Sequence, residues 1–245
     1  MCDRPRVLLA VFAHPDDESF RCGGTLALLA RRGIKVQIIT ATRGDAGSCG
    51  EPPLCLVDKL GVVREQELRC ACAALGIATP IFLDYFDGKL AKVNEKKAVA
   101  RIIEEIKRLK PQVLLSWPSD GLSGHPDHVA VSRWTKKAYE QMAMEKEAPV
   151  AVYHLAIPNS VANVLSLTKL HSIPDEEISL TVDIAEVWEQ KMAAIRCHRT
   201  QASTSPILSS MEKTQRLFLG KEYFSQALSS EDYDFLPGIL MDNII

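Results

Sequence analysis

Short runs rich in β-branched residues or leucine alternate along this chain with longer helical patterns, and this alternation restricts the fold more than any other feature. Predicted strands cover residues 6–13, 36–42, 81–83, 113–117, 150–154 and 180–182. Strands joined by helices pair in parallel, and helices then cover both faces of the sheet. We therefore predict a Rossmann-like α/β fold with a mostly parallel sheet, as a single domain over residues 1–245. An apolar fraction of 47% in 245 residues is ample for its core.

The clearest helix is Glu95–Leu109, where apolar residues recur at three- and four-residue steps and form one stripe. Pro111 ends this pattern. Two further helices are predicted over residues 62–75 and 184–198. A third begins at about His125, with Pro126 in its first turn.

Polar residues follow each of the first four predicted strands. The sequence His14-Pro15-Asp16-Asp17-Glu18 follows the first, Arg43-Gly44-Asp45 the second, residues 84–87 the third and residues 119–128 the fourth. A long segment at 43–59 connects the second strand to the next helix, and long loops at strand ends usually line a site. Because ligands of open parallel sheets bind beyond the carboxyl ends of the strands, we expect all these residues at one functional edge.

Two groups of histidine and carboxylate residues at this edge suggest a hydrolytic metal site. Such a zinc centre needs about three protein ligands and an open position for water. His14, Asp17 and His128 would supply two imidazoles and a carboxylate. Asp16 and His125 would then be free for proton transfer and charge stabilisation. Taken alone, the first group could also be a turn whose carboxylates cap the next helix.

Charge and hydropathy exclude several classes of protein. The net charge is −2 with dispersed Lys and Arg, so there is no basic face for nucleic acid. No apolar run approaches the roughly 18 residues of a membrane span. The first residues show no basic stretch followed by an apolar one, so we expect no signal sequence. The seven cysteines suggest no disulfide framework, so we expect reduced thiols in a cytoplasmic protein. A small neutral or weakly charged substrate fits this composition best.

Two other functions are compatible with parts of the pattern. Two histidines and a carboxylate also form the iron(II) site of oxygenases, which typically use a double-stranded β-helix. A nucleotide-binding module without catalysis would use the same kind of sheet. The sequence argues against a nucleotide-binding module, because no G-x-G-x-x-G follows the first strand and the acidic residues there would repel a pyrophosphate.

The combined motifs resemble the PIG-L or LmbE-like family of zinc-dependent N-deacetylases, which act on N-acetylglucosamine conjugates. The resemblance extends from about Val7 to Gln201. It rests on AHPDDE at 13–18, GGTL at 23–26, TRGD at 42–45, Arg64-x-x-Glu67 with Leu75-Gly76, SGHPDH at 123–128, and Lys191-x-x-Ala194-x-x-x-His198-x-x-Gln201.

The resemblance implies a role for each matching residue. It makes His14, Asp17 and His128 ligands of Zn²⁺ and Asp16 the general base. It makes His125, as an imidazolium oriented by Asp127, the group that stabilises the oxyanion or protonates the leaving amine. Arg43 and Asp87 match positions that hold sugar hydroxyls.

The resemblance also implies a small amino-sugar substrate and a homo-oligomer. Asp45, where many members carry Glu, and the insert at 49–55 depart from the pattern and affect the expected shape of the substrate pocket. Arg43 could instead form a surface ion pair with Asp45 or Glu51, and Asp87 before Gly88 could belong to an ordinary turn. A packing role for His198 is as compatible with the motif as contact with substrate.

Overall fold

Seven strands form one sheet in the computed structural model, which describes residues 6–147, 149 and 151–229. The strands are β1 (Val7–Phe12), β2 (Lys35–Thr42), β3 (Ile81–Tyr85), β4 (Val113–Ser116), β5 (Ala151–Ala156), β6 (Leu180–Asp183) and β7 (Lys221–Ser229), and their order in the sheet is β3-β2-β1-β4-β5-β7-β6. All six residues of β1 are buried, as expected for a central strand.

Four of the strand pairings are parallel and two are antiparallel. β1 pairs in parallel with β2 and β4, β2 with β3, and β4 with β5, whereas β7 runs antiparallel to β5 and β6. The predicted α/β fold with a mostly parallel sheet is confirmed. The six predicted strands all form, although Val150, the predicted start of the fifth, lies outside the described residues.

Eight α-helices accompany the sheet in the described ranges. They are α1 (Asp17–Arg31), α2 (Leu60–Leu75), α3 (Glu95–Leu109), α4 (Pro126–Met144), α5 (Asn159–Val164), α6 (Trp188–Cys197), α7 (Arg199–Ala202) and α8 (Glu212–Leu219). Helices α1, α2 and α6 pack on one another, and α3 packs on α4. The right-handed connections through α1 and through α3 run in opposite directions along the sheet, which places these two groups on opposite faces.

The predicted helices form with small changes at their ends. α3 has the predicted bounds, and the Asn94 side chain caps it by accepting a hydrogen bond from the Lys97 N–H at 3.2 Å. α2 begins two residues before the predicted start, and the helix predicted over 184–198 is divided into the 3₁₀ turn Ala185–Val187 followed by α6.

Helix α1 was not recognised in the sequence because it is buried around most of its circumference and has no single apolar stripe. A Cβ atom added at Gly24 would lie 2.5 Å from the Ile184 side chain. Glycine here allows the segment after β6 to approach the α1 backbone closely.

A disulfide joins Cys70 of α2 to Cys197 of α6, so the expectation of reduced thiols is wrong for this pair. The two cysteines are 127 residues apart in the chain, and the packing of α2 on α6 brings their Cα atoms to 5.7 Å. Cysteine count and local spacing carry no information about such a distant contact.

None of the helices in the described part of the chain combines the length and the apolar character required to cross a bilayer.

Candidate metal centre and catalytic cleft

The predicted functional residues meet at the point where the strand order reverses. β1 lies between β2 and β4, and the chain leaves β1 and β4 toward opposite sides of the sheet. His14 follows β1 and Asp17 is the first residue of α1, whereas His128 lies in the first turn of α4, after β4. A crevice between two such strand ends is the usual ligand site of an open α/β sheet.

His14, Asp17 and His128 each offer one ligand atom, and these three atoms lie within 4.8 Å of one another. Asp17 Oδ1 is 3.5 Å from His128 Nε2, and Asp17 Oδ2 is 3.9 Å from His14 Nδ1. Ligand atoms of a tetrahedral zinc ion with bonds of about 2.0–2.1 Å lie ~3.4 Å apart. The donor set and its spacing therefore fit a zinc ion after small movements of the side chains.

Backbone donors hold the Asp17 carboxylate in place. Its Oδ2 accepts hydrogen bonds from the N–H groups of Ala13 at 3.1 Å and His14 at 2.9 Å. Burial favours the neutral carboxyl, but the neighbouring His128 and His14 outweigh this effect and lower the pKa of Asp17 far below its ordinary value. Asp17 is thus an anion throughout the physiological pH range, as a metal ligand must be.

The His128 ring is fixed on two sides. It stacks on the Trp117 ring with centroids 3.8 Å apart and an interplanar angle of 6°, and its Nδ1 lies 3.1 Å from the Gly121 carbonyl oxygen. A Cβ at Gly121 would come within 2.8 Å of the His128 Cβ, so a larger residue would displace the ring. Because Nδ1–H donates to a carbonyl, Nε2 keeps a lone pair directed at Asp17 and the proposed ion.

His14 is oriented by two carboxylates. Its Nε2 is 3.0 Å from Asp87 Oδ1 and 3.3 Å from Asp127 Oδ2. Burial alone would lower the pKa of His14, but these carboxylates and Asp17 raise it to about 10. A metal ion would have to displace a proton from Nδ1, while Nε2–H stays bound to a carboxylate, an arrangement common among metal-ligating histidines.

The carboxylate of Asp127 does not contact His125 in the way that the resemblance implied. Its oxygens accept hydrogen bonds from the N–H groups of Gly88 at 2.7 Å and Leu90 at 3.1 Å, and Oδ2 also faces His14. It is the backbone N–H of Asp127 that donates to His125 Nδ1, at 3.2 Å. The sequence motif cannot distinguish these arrangements, because it does not tell which side of the helix start the carboxylate faces.

His125 caps the start of α4 and is exposed beside the metal ligands. Its ring centroid lies 5.0 Å from that of His14 and 4.8 Å from that of His128. Burial and the two neighbouring histidines lower the pKa of His125, which favours the neutral ring, and its role as an imidazolium stays a prediction. Since Nδ1 accepts a hydrogen bond, the proton of the neutral ring is on Nε2.

Asp16 lies beside Asp17 with the left-handed backbone angle φ of 102°, which is unfavourable for a residue with a Cβ. This conformation turns the two adjacent carboxylates in different directions. Burial and the charge of Asp17 raise the pKa of Asp16 to about 6 in spite of the opposing effect of Arg64. A carboxylate with a pKa near the working pH is suited to accept and return a proton.

Arg64 is a site residue whose task the motif did not reveal. Its buried guanidinium donates to the carbonyl oxygens of Gly44, at 2.8 Å, and Pro15, and Nη2 is 3.4 Å from Asp16 Oδ2. A Cβ at Gly44 or Gly47 would lie 2.2 or 2.5 Å from Nη1. The two glycines therefore leave space for the Arg64 guanidinium. In the sequence, the signal for a special role of Arg64 was an arginine on the apolar face of a predicted helix.

A second set of buried pairs supports this edge. Glu18 Oε1 is 2.7 Å from His198 Nε2, and Glu67 accepts hydrogen bonds from the backbone N–H and hydroxyl of Thr200 at 2.8 and 2.7 Å. Gln201 donates to the Ser48 carbonyl at 2.8 Å. The segment after α6 therefore anchors the helix that bears Glu18 and the long loop beside the site, which is a supporting role for His198.

Arg43 and Asp87 occupy different surroundings. The Arg43 guanidinium pairs with Glu65 at 2.7 Å and with Asp84, neither of which was the predicted ion-pair partner, and it lies over the Phe82 ring. Asp87 contacts His14 and accepts the Ala46 N–H at 3.1 Å. Contact of either residue with a sugar hydroxyl stays a prediction, and the observed task of Asp87 is to orient His14.

A cleft of about 200 Å³ opens beside Asp16, Asp17 and His128. Its other walls are apolar or cationic and comprise Phe20, Arg21, Trp117, Leu122 and Leu170, with Ser123 at one side. A small molecule in this cleft would reach the proposed metal ligands and the adjacent carboxylate of Asp16 together.

Comparison with known proteins gives one family and several related structures. The family model described as PIG-L: GlcNAc-PI de-N-acetylase matches residues 9–139, more than half of the chain. A relative from Salinispora arenicola, named 1D-myo-inositol 2-acetamido-2-deoxy-alpha-D-glucopyranoside deacetylase, is 31% identical over 92% of this chain and 86% of its own.

Two solved structures share the fold at lower identity. The N,N'-diacetylchitobiose deacetylase from Pyrococcus horikoshii has a TM-score of 0.68 and 18% identity, over 91% of this chain and 84% of that chain. The 4-carboxy-2-hydroxymuconate hydratase GalB from Pseudomonas putida KT2440 also has a TM-score of 0.68, with 20% identity over 94% of this chain and 99% of that chain. Since the fold occurs in both a deacetylase and a hydratase, the activity must be argued from the site.

Proposed function

Because the chain belongs to the PIG-L family of GlcNAc-PI de-N-acetylases, we propose that it is a metal-dependent hydrolase that removes the N-acetyl group from an N-acetylglucosamine conjugate. The observation that carries this proposal is the convergence of His14, Asp17 and His128 beside the unliganded carboxylate of Asp16. Amide hydrolysis requires an activated water, a polarised carbonyl and a proton for the departing amine.

We assign Zn²⁺ to the three-residue site, because two imidazole nitrogens and one carboxylate form a usual donor set for catalytic zinc. A zinc ion held there would lower the pKa of a water molecule to about 7 and polarise the acetyl carbonyl. Asp87 and Asp127 hold the His14 ring, while Gly121 and Trp117 hold that of His128.

Asp16 is assigned as the general base. It accepts a proton from the attacking water, and this proton is then available for the nitrogen of the amine when the carbon–nitrogen bond breaks. Arg64 and the φ angle of 102° keep the Asp16 carboxylate apart from that of Asp17, so that one can hold the metal while the other reaches the water.

His125 is assigned as a hydrogen-bond donor to the acetyl oxygen. Its neutral ring carries a proton on Nε2, because Nδ1 accepts the Asp127 N–H. Donation from a fixed N–H strengthens as the carbonyl oxygen gains negative charge, so His125 stabilises the tetrahedral intermediate without being an imidazolium.

The other functions considered from the sequence have less support. The mostly parallel α/β sheet of the described residues is not the double-stranded β-helix typical of iron(II) oxygenases. The acidic residues Asp16 and Asp17 follow β1, where a nucleotide-binding module would hold phosphate. The conjugate that bears the acetyl group, the homo-oligomeric state and the cytoplasmic location stay predictions.

Acetate release tests the proposal. The protein would be incubated with N,N'-diacetylchitobiose and with a simple alkyl 2-acetamido-2-deoxyglucoside, with zinc added and with a chelator. We expect acetate and amine in equal amounts, loss of turnover with the chelator and recovery with zinc. Turnover that is unaffected by complete metal removal, or no acetate from any N-acetylglucosamine derivative, would refute the proposed function.

A further inference from the structure

Four cysteines in the described part of the chain are free, and two of them lie in the insert at 49–55 beside the catalytic edge. Cys49 and Cys55 are half-buried, whereas Cys22 and Cys72 are buried. Burial raises the pKa of both buried thiols, which keeps them protonated and unreactive. Of these four thiols, the two in the insert are therefore the ones that reagents in solution can reach.

The fold of the insert holds its two thiols together. The Leu54 N–H donates to the Cys49 carbonyl oxygen at 2.7 Å, which closes the loop immediately before Cys55. The thiols of Cys49 and Cys55 lie within hydrogen-bonding reach of each other. A disulfide needs its two sulfur atoms about 2.0 Å apart. Small movements of the two side chains are thus sufficient to join them, and the loop does not have to refold.

Both arms of the insert border the site. Asp45, which precedes the insert, and Val57, which follows it, line a common cavity of about 360 Å³. The Ala46 N–H donates to Asp87 Oδ2 at 3.1 Å, and Asp87 in turn contacts the proposed metal ligand His14. A covalent bond between the ends of the insert would therefore fix the two arms beside the residues that orient the metal site.

The outer side of the insert is attached to the segment that follows α6. The Glu51 N–H donates to Ser203 Oγ at 3.0 Å, and the Gln201 side chain donates to the Ser48 carbonyl oxygen at 2.8 Å. These are single hydrogen bonds at exposed or partly buried positions, and such bonds open readily in local fluctuations. The insert is thus held weakly as long as its two thiols are reduced.

We propose that Cys49 and Cys55 form a modification site, at which a low-molecular-weight disulfide such as glutathione disulfide converts the two thiols into a reversible intramolecular disulfide that holds the insert closed. This inference goes beyond the proposed function and does not depend on it. It gives a task to the insert, whose sequence departs from the family pattern.

The reaction is a thiol–disulfide exchange in two steps. Partial burial and the neighbouring Cys49 thiol raise the pKa of Cys55, so Cys49 makes the first attack. The Cys49 thiolate forms a bond to one sulfur of the reagent, the reagent S–S bond breaks, and the released thiolate takes up the proton that Cys49 lost. The Cys55 sulfur then attacks the Cys49 sulfur, and the second reagent thiolate leaves with the proton of Cys55. Two protein thiols are oxidised, and one reagent disulfide is reduced to two thiols.

Peptide mapping tests the site, because trypsin releases both cysteines of the insert in one peptide, residues 44–59. The folded protein would be incubated with reduced glutathione and then with glutathione disulfide, its remaining thiols alkylated, and the digest analysed by mass spectrometry. We expect the peptide to lose two hydrogen atoms and both sites of alkylation at least about 10-fold faster than Cys22 or Cys72 is modified. Dithiothreitol should restore both thiols.

Single variants separate the roles of the two sulfur atoms. Cys55→Ser should stop at the mixed disulfide of Cys49 with glutathione, and Cys49→Ser should form no bond within the insert. Cys72→Ser removes a buried thiol by the same substitution and is the matched control. Its 44–59 peptide should be oxidised at the rate of the unaltered protein.

Hydrogen exchange tests whether the disulfide holds the insert closed. In the oxidised protein the amides of Gly50, Glu51 and Leu54 should exchange about 10-fold more slowly than in the reduced protein, because the disulfide restricts the opening of the loop. Cys49→Ser, treated in the same two ways, should show no such difference.

Three results would overturn the inference. The first is a 44–59 peptide that keeps two free thiols or carries glutathione on both sulfur atoms. The second is oxidation of Cys22 or Cys72 at the same rate as the insert. The third is equal amide exchange in the oxidised and reduced proteins, which would show that the disulfide does not hold the insert closed. None of these measurements uses turnover, so this inference and the proposed deacetylase function fail independently.

Discussion

Two clusters of buried charge lie against helix α1, and they differ in whether their members satisfy one another. In the first, Lys191 Nζ donates to Glu222 at 2.7 Å and to the Leu219 carbonyl at 2.9 Å, while Glu222 accepts the N–H groups of Gly24 and Thr25 at 2.9 and 2.6 Å. Both charged side chains are only 1% exposed. This cluster is closed and has no capacity left for a ligand.

The second cluster is open. His14, Asp17 and His128 direct ligand atoms at a common point, and their remaining polar atoms are already held by neighbouring carboxylates, backbone N–H groups and a carbonyl. Buried charge by itself therefore does not identify a site. What distinguishes the functional cluster is that the outer atoms are held by neighbouring groups, while the inner atoms of two histidines and one carboxylate lie within 4.8 Å of one another, as ligands of one ion would.

The largest predicted effect concerns the open cluster. Asp16→Asn should reduce turnover by about 10²- to 10⁴-fold, because the attacking water loses its base. Zinc content and the free energy of unfolding should stay close to those of the unaltered protein, and Asp58→Asn, which neutralises an exposed carboxylate, is the control. Steady-state kinetics with metal analysis checks this, and normal turnover in Asp16→Asn would remove that residue from the mechanism.

The closed cluster should affect folding rather than chemistry. Lys191→Met leaves the Glu222 charge buried without its partner, which should lower the free energy of unfolding by about 3–5 kcal/mol. Urea denaturation measures this change. Lys137→Met, which breaks an exposed pair with Glu95, should cost at most about 1 kcal/mol. If the free energy of unfolding decreases no more in Lys191→Met than in Lys137→Met, then the buried ion pair does not stabilise the fold more than the exposed one.

The side chains that hold the metal ligands in place should have a smaller effect, on the affinity for zinc. Asp127→Asn removes a charged acceptor from His14 Nε2 and should weaken zinc binding by about 10- to 100-fold. Competition with a chromophoric chelator measures the affinity. If zinc binds Asp127→Asn as tightly as the unaltered protein, then the contact between Asp127 and His14 does not support the metal site.

The smallest predicted effect is a pH dependence of stability from the pair between Glu18 and His198. Burial opposes protonation, but Glu18 outweighs it and raises the pKa of His198 above its ordinary value. The pair therefore stabilises the fold fully below the pKa of His198 in the unfolded chain, about 6.5. This stabilisation is lost as pH rises through the pKa of His198 in the folded protein, by no more than about 1.4 kcal/mol per pH unit.

Unfolding of the metal-free protein and of His198→Gln over this pH range measures that contribution. The difference between the two free energies should decrease as pH rises above about 6.5. A difference that is constant with pH, or that increases, would show that His198 is not held as the protonated partner of Glu18.

Local patterns in the sequence were sufficient for much of the fold. The apolar stripe of Glu95–Leu109 gave the bounds of α3, and the runs of branched residues gave the parallel strands. β7 was not found because Glu222 occupies a buried position and interrupts the apolar alternation. That position depends on Lys191, Gly24 and Thr25, which lie far away in the chain.

The sequence was sufficient to predict which residues form the site and at which strand ends they lie. His14, Asp17 and His128 come together as the topology requires, since β1 and β4 are adjacent. The orientation of Asp127 toward His14 and the disulfide between Cys70 and Cys197 depend on side-chain direction and on helix packing, and neither has a local signature.

We propose that His14 and Asp17, from the start of the chain, and His128, from its middle, bind one divalent ion together. The most direct test of this proposal is the zinc content of the purified protein and of Asp17→Ala and His128→Ala, each dialysed against a low concentration of zinc and analysed by mass spectrometry of the metal. We expect one zinc ion per chain in the unaltered protein and nearly none in either variant, with folding verified by circular dichroism. Stoichiometric zinc in both folded variants would contradict it.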